Sequence, residues 1–335
     1  MRKKVSIATM AIACLIVFLA TYCLPGLVRS KEVSKSHVAS SAPDCPISIE
    51  QIRTKSYNHI QPLILAGSME QSSALRDLKG HLEEYINEAK AGQKAEEITV
   101  YFRKLNDGSW FCINPNQTYN PASMSKIIYL ICFLKEAENN PAILNKKIFF
   151  ARHFSEGNQP NIKDFVLPEN REYAVKDLLT YMVKYSDNDA TMLLSQNMKK
   201  HIFNQLFNDL NIPLPPDVGE YFISANDYSK FFRLLYNAAY VRPELSELGL
   251  QLLTMSTYEK GLRAGIDPNI EIAHKFGERI IGTKAQLHEF GIVFIKGDPF
   301  LIGIMSKGSS LDQLSPIISD IARIAYGDYM RKYHS

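Results

Sequence analysis

Two blocks of strand-like sequence, separated by a long helical stretch, set the strongest limit on the fold. Ile98 to Leu105 is rich in β-branched and aromatic residues. Asn106-Asp107-Gly108 follows as a turn, and Ser109 to Ile113 returns as a hairpin partner. Between about residues 137 and 265 the apolar spacing is mostly helical. Val175–Val183 is amphipathic, Ala190–Leu210 reads as one long helical segment, and Asn226–Val241 and Glu244–Met255 follow. After Gly265 the strand pattern resumes over Ile270–Phe276, Gln286–Ile295 and Pro299–Met305, and Gln313–Tyr333 is helical again. Ala74 to Ala91 adds a helix that ends before Gly92. Strands on both sides of a helical middle predict one sheet built from both blocks, with a helical insertion.

Composition sharpens this. The 335 residues are 46% apolar and 22% charged, a globular balance with ample core. Net charge is only +3 and no basic stripe carries interleaved aromatics, which argues against a nucleic-acid partner. No C-x-x-C or H-x-x-x-H occurs, so neither a metal nor a cofactor is expected. Cys112 and Cys132 read as two buried thiols or one bridge, not as a disulfide framework.

The N-terminal part has its own logic. Arg2, Lys3 and Lys4 precede an uncharged stretch from Val5 to Val28, long enough to cross a bilayer as a helix. The basic cluster predicts a single-pass anchor over 1–28, with the rest of the chain outside the cytoplasm at the cell membrane. A signal peptide and secretion is the alternative, although Val28-Arg29-Ser30 is a mediocre cleavage site. Tyr22 before Cys23 argues against a lipoprotein. Residues 29–70, rich in Ser, Lys, Pro and Gln, read as a polar linker to a domain over 71–335.

Three short motifs carry chemistry. In Ser123-Met124-Ser125-Lys126, at the start of an apolar helix, the serine and lysine lie one turn apart on one face. A desolvated amine beside a hydroxyl can take its proton and make it a nucleophile. Taken alone, the spacing also describes an ordinary capped helix start. Ser186-Asp187-Asn188 sits between two helical stretches, where a hydroxyl and a carboxamide can point into one cleft. The same residues also suit a turn and N-cap. Lys275-Phe276-Gly277 ends a strand and can bring a cation to a cleft edge, with Gly277 permitting close approach of a substrate backbone.

S-x-x-K, S-D-N and K-x-G, in that order on a helix, a loop and a strand, resemble the motif set of class A β-lactamases and penicillin-binding proteins. The resemblance covers about residues 70–333. It implies an α/β fold of β-lactamase type, a sandwich with a five-stranded antiparallel sheet flanked by helices plus an all-helical part. It implies a serine hydrolase that opens β-lactam amides through an acyl-enzyme on Ser123. Lys126 would be the base and Ser186 would pass a proton to the leaving nitrogen. Asn188 would bind the acyl side-chain amide, and Lys275 would support the electrostatics near Ser186. The backbone N–H groups of Ser123 and of Glu278, the residue after Gly277, would form the oxyanion hole.

Two features depart from that pattern. No E-x-x-L-N occurs between Asn188 and Lys275, and the carboxylates there are Asp217 and Glu220. Glu220 is the candidate for activating the deacylating water. Phe276 stands where a Thr or Ser is usual and cannot donate a hydrogen bond to a substrate carboxylate. The expected partner is a small-molecule β-lactam or a peptidoglycan-derived peptide, and the expected state a monomer. The alternatives are a D,D-peptidase-type cell-wall enzyme with slow deacylation, or a catalytically impaired binding homologue. His274 and His288 are read as structural histidines.

Overall fold

The computed structural model describes residues 48–54, 62–154, 166–216 and 219–333. The expected anchor or signal segment over 1–28, much of the 29–70 linker, and Asp217 lie outside the described residues. Among the described residues no helix is long and apolar enough to cross a membrane.

In chain order, β1 (Ile49–Arg53) and β2 (Leu63–Ser68) pair as an antiparallel ribbon. This part of the expected linker is therefore structured, because Ile52, Ile64 and Leu65 find buried positions. A turn of 3-10 helix leads into α1 (Arg76–Ala91), which buries Leu78, Leu82, Ile86 and Ala89 along one face. The hairpin expected next is present as β3 (Glu97–Lys104) and β4 (Trp110–Ile113). After β5 (Thr118–Tyr119) comes α2 (Lys126–Asn139), then a ribbon of β6 (Lys147–Phe150) and β7 (Arg171–Ala174).

The helical middle continues as α3 (Val175–Lys184), α4 (Asn188–Asn197) and α5 (Lys200–Asp209). The single helix expected over Ala190–Leu210 is thus two, with extended backbone at Met198 and Lys199. Lys199 Nζ reaches the buried Glu136 of α2 at 3.0 Å, a tertiary contact that overrides local propensity. β8 (Ile223–Ser224) pairs with β5 and leads to α6 (Ala225–Tyr236), α7 (Pro243–Thr254) and the short α8 (Leu262–Gly265). The chain then returns as β9 (Ile272–Ile281), β10 (Lys284–Val293) and β11 (Phe300–Gly308), followed by α9 (Leu311–Tyr333).

One five-stranded antiparallel sheet, in the order β4-β3-β11-β10-β9, unites the two strand blocks as expected. Period-2 alternation divides its residues between two cores. Ile98, Val100, Phe102, Ile302 and Ile304 join α1 and α9 in one, while Tyr101, Phe290, Leu301 and Met305 join α2, α3 and α6 in the other. Cys112 and Cys132 are buried free thiols, and burial pushes the Cys112 thiol up to about 12. The second core is tightly fitted at Gly303, where a Cβ would stand 2.1 Å from the Phe290 ring. Gly303→Ala is therefore expected to overpack the sheet and destabilise the protein by about 1–3 kcal/mol. Urea unfolding at equilibrium measures this, and an unchanged midpoint would show that the Phe290 ring moves freely aside.

Candidate active site

The segment before α2 is held by several short-range bonds. Asn120 Oδ1 accepts from Ala122 N–H at 2.9 Å, Met124 N–H donates to Pro121 O at 3.0 Å, and Ser125 Oγ donates to Ala122 O at 2.8 Å. From α6, the Tyr228 hydroxyl donates to Met124 O at 2.8 Å. These bonds hold Ala122 at φ 48°, a conformation that costs a non-glycine residue about 1–3 kcal/mol. Ser123 lies in the 3-10 turn Ala122–Ser125 and is partly exposed, while Lys126 opens α2 and is buried.

Gly277 of β9 is the other half of this turn's support. A Cβ there would stand 2.5 Å from Pro121 O and 2.8 Å from Met124 N. The glycine therefore serves the fit of β9 against the serine turn. The ring of Phe276, next to it, lies 4.3 Å from Lys275 Nζ. It is 2% exposed and stacks on Tyr258 at 4.0 Å between ring centroids.

The three motifs meet at Ser186. This residue is fully buried and takes φ 56°, a second strained position in the same region. Its Oγ accepts from Lys126 Nζ at 3.1 Å and from Lys275 Nζ at 2.9 Å. Lys126 Nζ also donates to Ser186 O and, at 2.9 Å, to Asn188 Oδ1. Among the described residues no hydrogen bond joins Lys126 to Ser123, although sequence spacing placed that amine beside the serine hydroxyl. An i,i+3 spacing fixes the shared face but not where a long side chain ends. Asn188 spends its oxygen on Lys126, which leaves its amide N–H groups for another acceptor. Asp187 between them caps α4, accepting from Ala190 N–H at 2.7 Å. The segment is thus both an N-cap and a site element.

Burial sets the electrostatics. It brings Lys126 down to about 7, against the opposing pull of Asp187 and Glu278. Lys275 is pushed well below its usual range by burial and by the neighbouring Lys126. Glu278 is raised to about 7 by burial, with Lys275, Lys260 and Lys126 acting in the other direction.

A cavity of about 480 Å³ opens over this group. Ser123, Lys126, Asn188, Glu220 and Glu278 line it, while Ser186 and Lys275, both fully buried, lie behind Lys126, to which Ser186 is hydrogen-bonded. Glu220 is ion-paired to Arg279. Among the described residues no group of side chains could hold a metal ion. Reading by motif missed Tyr129, Thr191 and Arg279 in the cavity wall, and treated Glu278 only as a backbone donor. Tyr129 follows Lys126 by three positions on α2, a spacing that could have flagged it. His274 pairs with the buried Glu289 at 2.5 Å, away from the cavity. His288 accepts from Ser306 N–H at 3.1 Å and burial lowers it to about 3, so both histidines are structural.

The fold has known counterparts. No curated protein matches the chain in sequence. Solved structures match in shape: PBP-A aligns at 20% identity with a TM-score of 0.63, covering 77% of this chain and 97% of that one. The TLA-1 extended-spectrum β-lactamase aligns at 17% identity with a TM-score of 0.66, covering 77% of this chain and 99% of that one. A β-lactamase from Chitinophaga pinensis aligns at 16% identity with a TM-score of 0.64, covering 75% and 99%. A family model described as the beta-lactamase enzyme family matches residues 81–329. The chain therefore belongs to the β-lactamase enzyme family and is a hydrolase that acts on β-lactams.

Proposed function

We propose that hydrolysis proceeds through an acyl-enzyme on Ser123, as in class A β-lactamases. The observation that carries this reading is Ser186 Oγ, held between two buried amines beneath the cavity that Ser123 lines. Lys126, which burial brings down to about 7, takes the Ser123 proton when in its neutral form. Its path is short in chemical terms, because Lys126 and Ser186 already share a hydrogen bond. Ser186 passes the proton to the β-lactam nitrogen as the C–N bond breaks. The N–H groups of Ser123 and Glu278 receive the oxyanion, and the amide of Asn188 holds the acyl side chain. The substrate is a small-molecule β-lactam, and no cofactor, metal or nucleic acid enters the reaction.

One observation favours a second reading, a D,D-peptidase-type enzyme that releases its acyl group slowly from a peptidoglycan-derived peptide. Glu220, the candidate for activating water, is engaged by Arg279. PBP-A, a similar fold, has been solved as a mutant acyl-enzyme with penicillin G. The N-terminal apolar stretch supports a chain tethered to the cell membrane with this site outside the cytoplasm, or secreted after cleavage. In a membrane-fractionation blot of the tagged full chain, recovery only as a soluble form beginning near Ser30 would refute the tether.

Mass spectrometry with benzylpenicillin is expected to show an adduct on Ser123 that Ser123→Ala abolishes. Absence of any adduct would remove the acylation mechanism. Glu220→Gln is expected to lengthen the adduct's life about 100-fold, in the range for loss of a general base. An unchanged lifetime would exclude Glu220 and support the slow-deacylating reading. The acylation rate should fall as pH drops through about 7, because protonated Lys126 cannot accept the serine proton. Ionised Glu278 holds Lys126 up, so Glu278→Gln should move that acid limb to lower pH. A limb that moves to higher pH would contradict the coupling.

A further inference from the structure

A second cavity lies on the far side of β3 from the α1 and α9 core, beneath the β1–β2 ribbon. It measures about 690 Å³ and is continuous in its lining with a smaller one of about 110 Å³. Both are lined by Arg103 of β3, Arg233 of α6 and Trp110 of β4.

The arginines are unusual for their burial. Arg103 is 7% exposed and Arg233 is 5% exposed. Buried guanidinium groups are ordinarily matched by carboxylates, because each presents five N–H donors and a permanent charge. Among the described residues Arg103 makes no hydrogen bond or ion pair. Arg233 donates a long hydrogen bond from Nη2 to Ala66 O at 3.4 Å and interacts with the buried Tyr101 hydroxyl. The Arg103 guanidinium lies against the backbone of Gly67 and Gly108, in the space their Cβ atoms would take. Burial lowers Arg233 most and the charge of Arg103 lowers it further, while Tyr101 and Glu50 act the other way, and no counterion among the described residues is in contact with it.

The wall carboxylates do not supply that counterion. Asp107 is held by Lys104 at 3.1 Å. Glu50 and Glu70 line the cavities, and among the described residues neither comes within ion-pair distance of either arginine. Glu50 does raise Arg233 through space. Ser68, Ser72 and Asn237 add hydroxyl and amide groups to the lining.

We propose that Arg103 and Arg233 form an oxyanion-binding site, separate from the Ser123 cavity, that takes a phosphate or carboxylate group. Two forked guanidinium groups favour a multidentate oxyanion over a monatomic halide. The site is independent of the acyl-enzyme reading.

Trp110 is the chain's one tryptophan and lines both cavities, so its emission reports on this place alone. The full chain is titrated with inorganic phosphate, with acetate and with sodium chloride, all at one ionic strength. Phosphate or acetate should change the emission saturably and chloride should not, the stronger of the two naming the oxyanion. Arg103→Gln and Arg233→Gln should each weaken binding at least about tenfold, the loss expected for a charge-assisted contact. Glu70→Gln, which keeps both arginines and removes a negative charge from the wall, should tighten it. An identical response to chloride, no saturable response, or arginine variants that fold and titrate like the parent would overturn the proposal. Should the arginine variants fail to fold, the anion series and the direction of the Glu70→Gln shift decide it.

Discussion

Two amines donating to one buried hydroxyl oxygen is the constraint on which the site depends. An isolated ammonium in a protein interior costs several kcal/mol, and two adjacent ones cost more. The structure meets that cost by pushing the amines toward neutrality and giving them fixed acceptors. The oxygen comes from the loop between α3 and α4, one amine from α2 and the other from β9. Each element is held in turn by its own packing: α2 by the helical core, β9 by the sheet, and the loop by the Asp187 cap. The strain at Ala122 and Ser186 sits where these supports converge, which is where surrounding structure can hold it.

Much of this was readable in the sequence, and the failures have physical causes. The hairpin of β3 and β4 announced itself through β-branched residues around Asn106-Asp107-Gly108, and β9 to β11 through similar runs. The β1–β2 ribbon did not, because each strand buries only one or two residues and shows no alternation. The break at Met198-Lys199 had no glycine or proline to mark it, and the contact made there, Lys199 with Glu136, is distant in sequence. In the site, order and spacing picked out Lys126, Ser186, Asn188 and Lys275, which the fold brings together. What spacing could not supply was direction: Lys126 turns to Ser186 and Asn188, and Gly277 turns to the serine turn. Those are outcomes of tertiary packing that a one-dimensional pattern does not contain.

The departures from the family pattern now have a structural reading. Phe276 is absorbed into the apolar core beside Tyr258, so the strand keeps its lysine and glycine on the site side while its middle residue serves stability. Glu278 brings a carboxyl group to a wall already near two lysines, and one of its oxygens is buried without a partner. That carboxyl makes the charge of the cavity depend on protonation near neutrality, as the amine beside it does.

The strand order has a consequence for synthesis. β9 is an edge strand, joined to β3 only through β10 and β11, and β11 is the last to leave the ribosome. A nascent chain that has made Ser123, Lys126 and Ser186 still lacks the lysine that completes the group, and even a chain carrying Lys275 has no central strand to hold it. Long-range pairing of this kind closes late. The half-made protein therefore lacks the buried group around Ser186, which is complete only once β11 has joined β10 and β9 to β3.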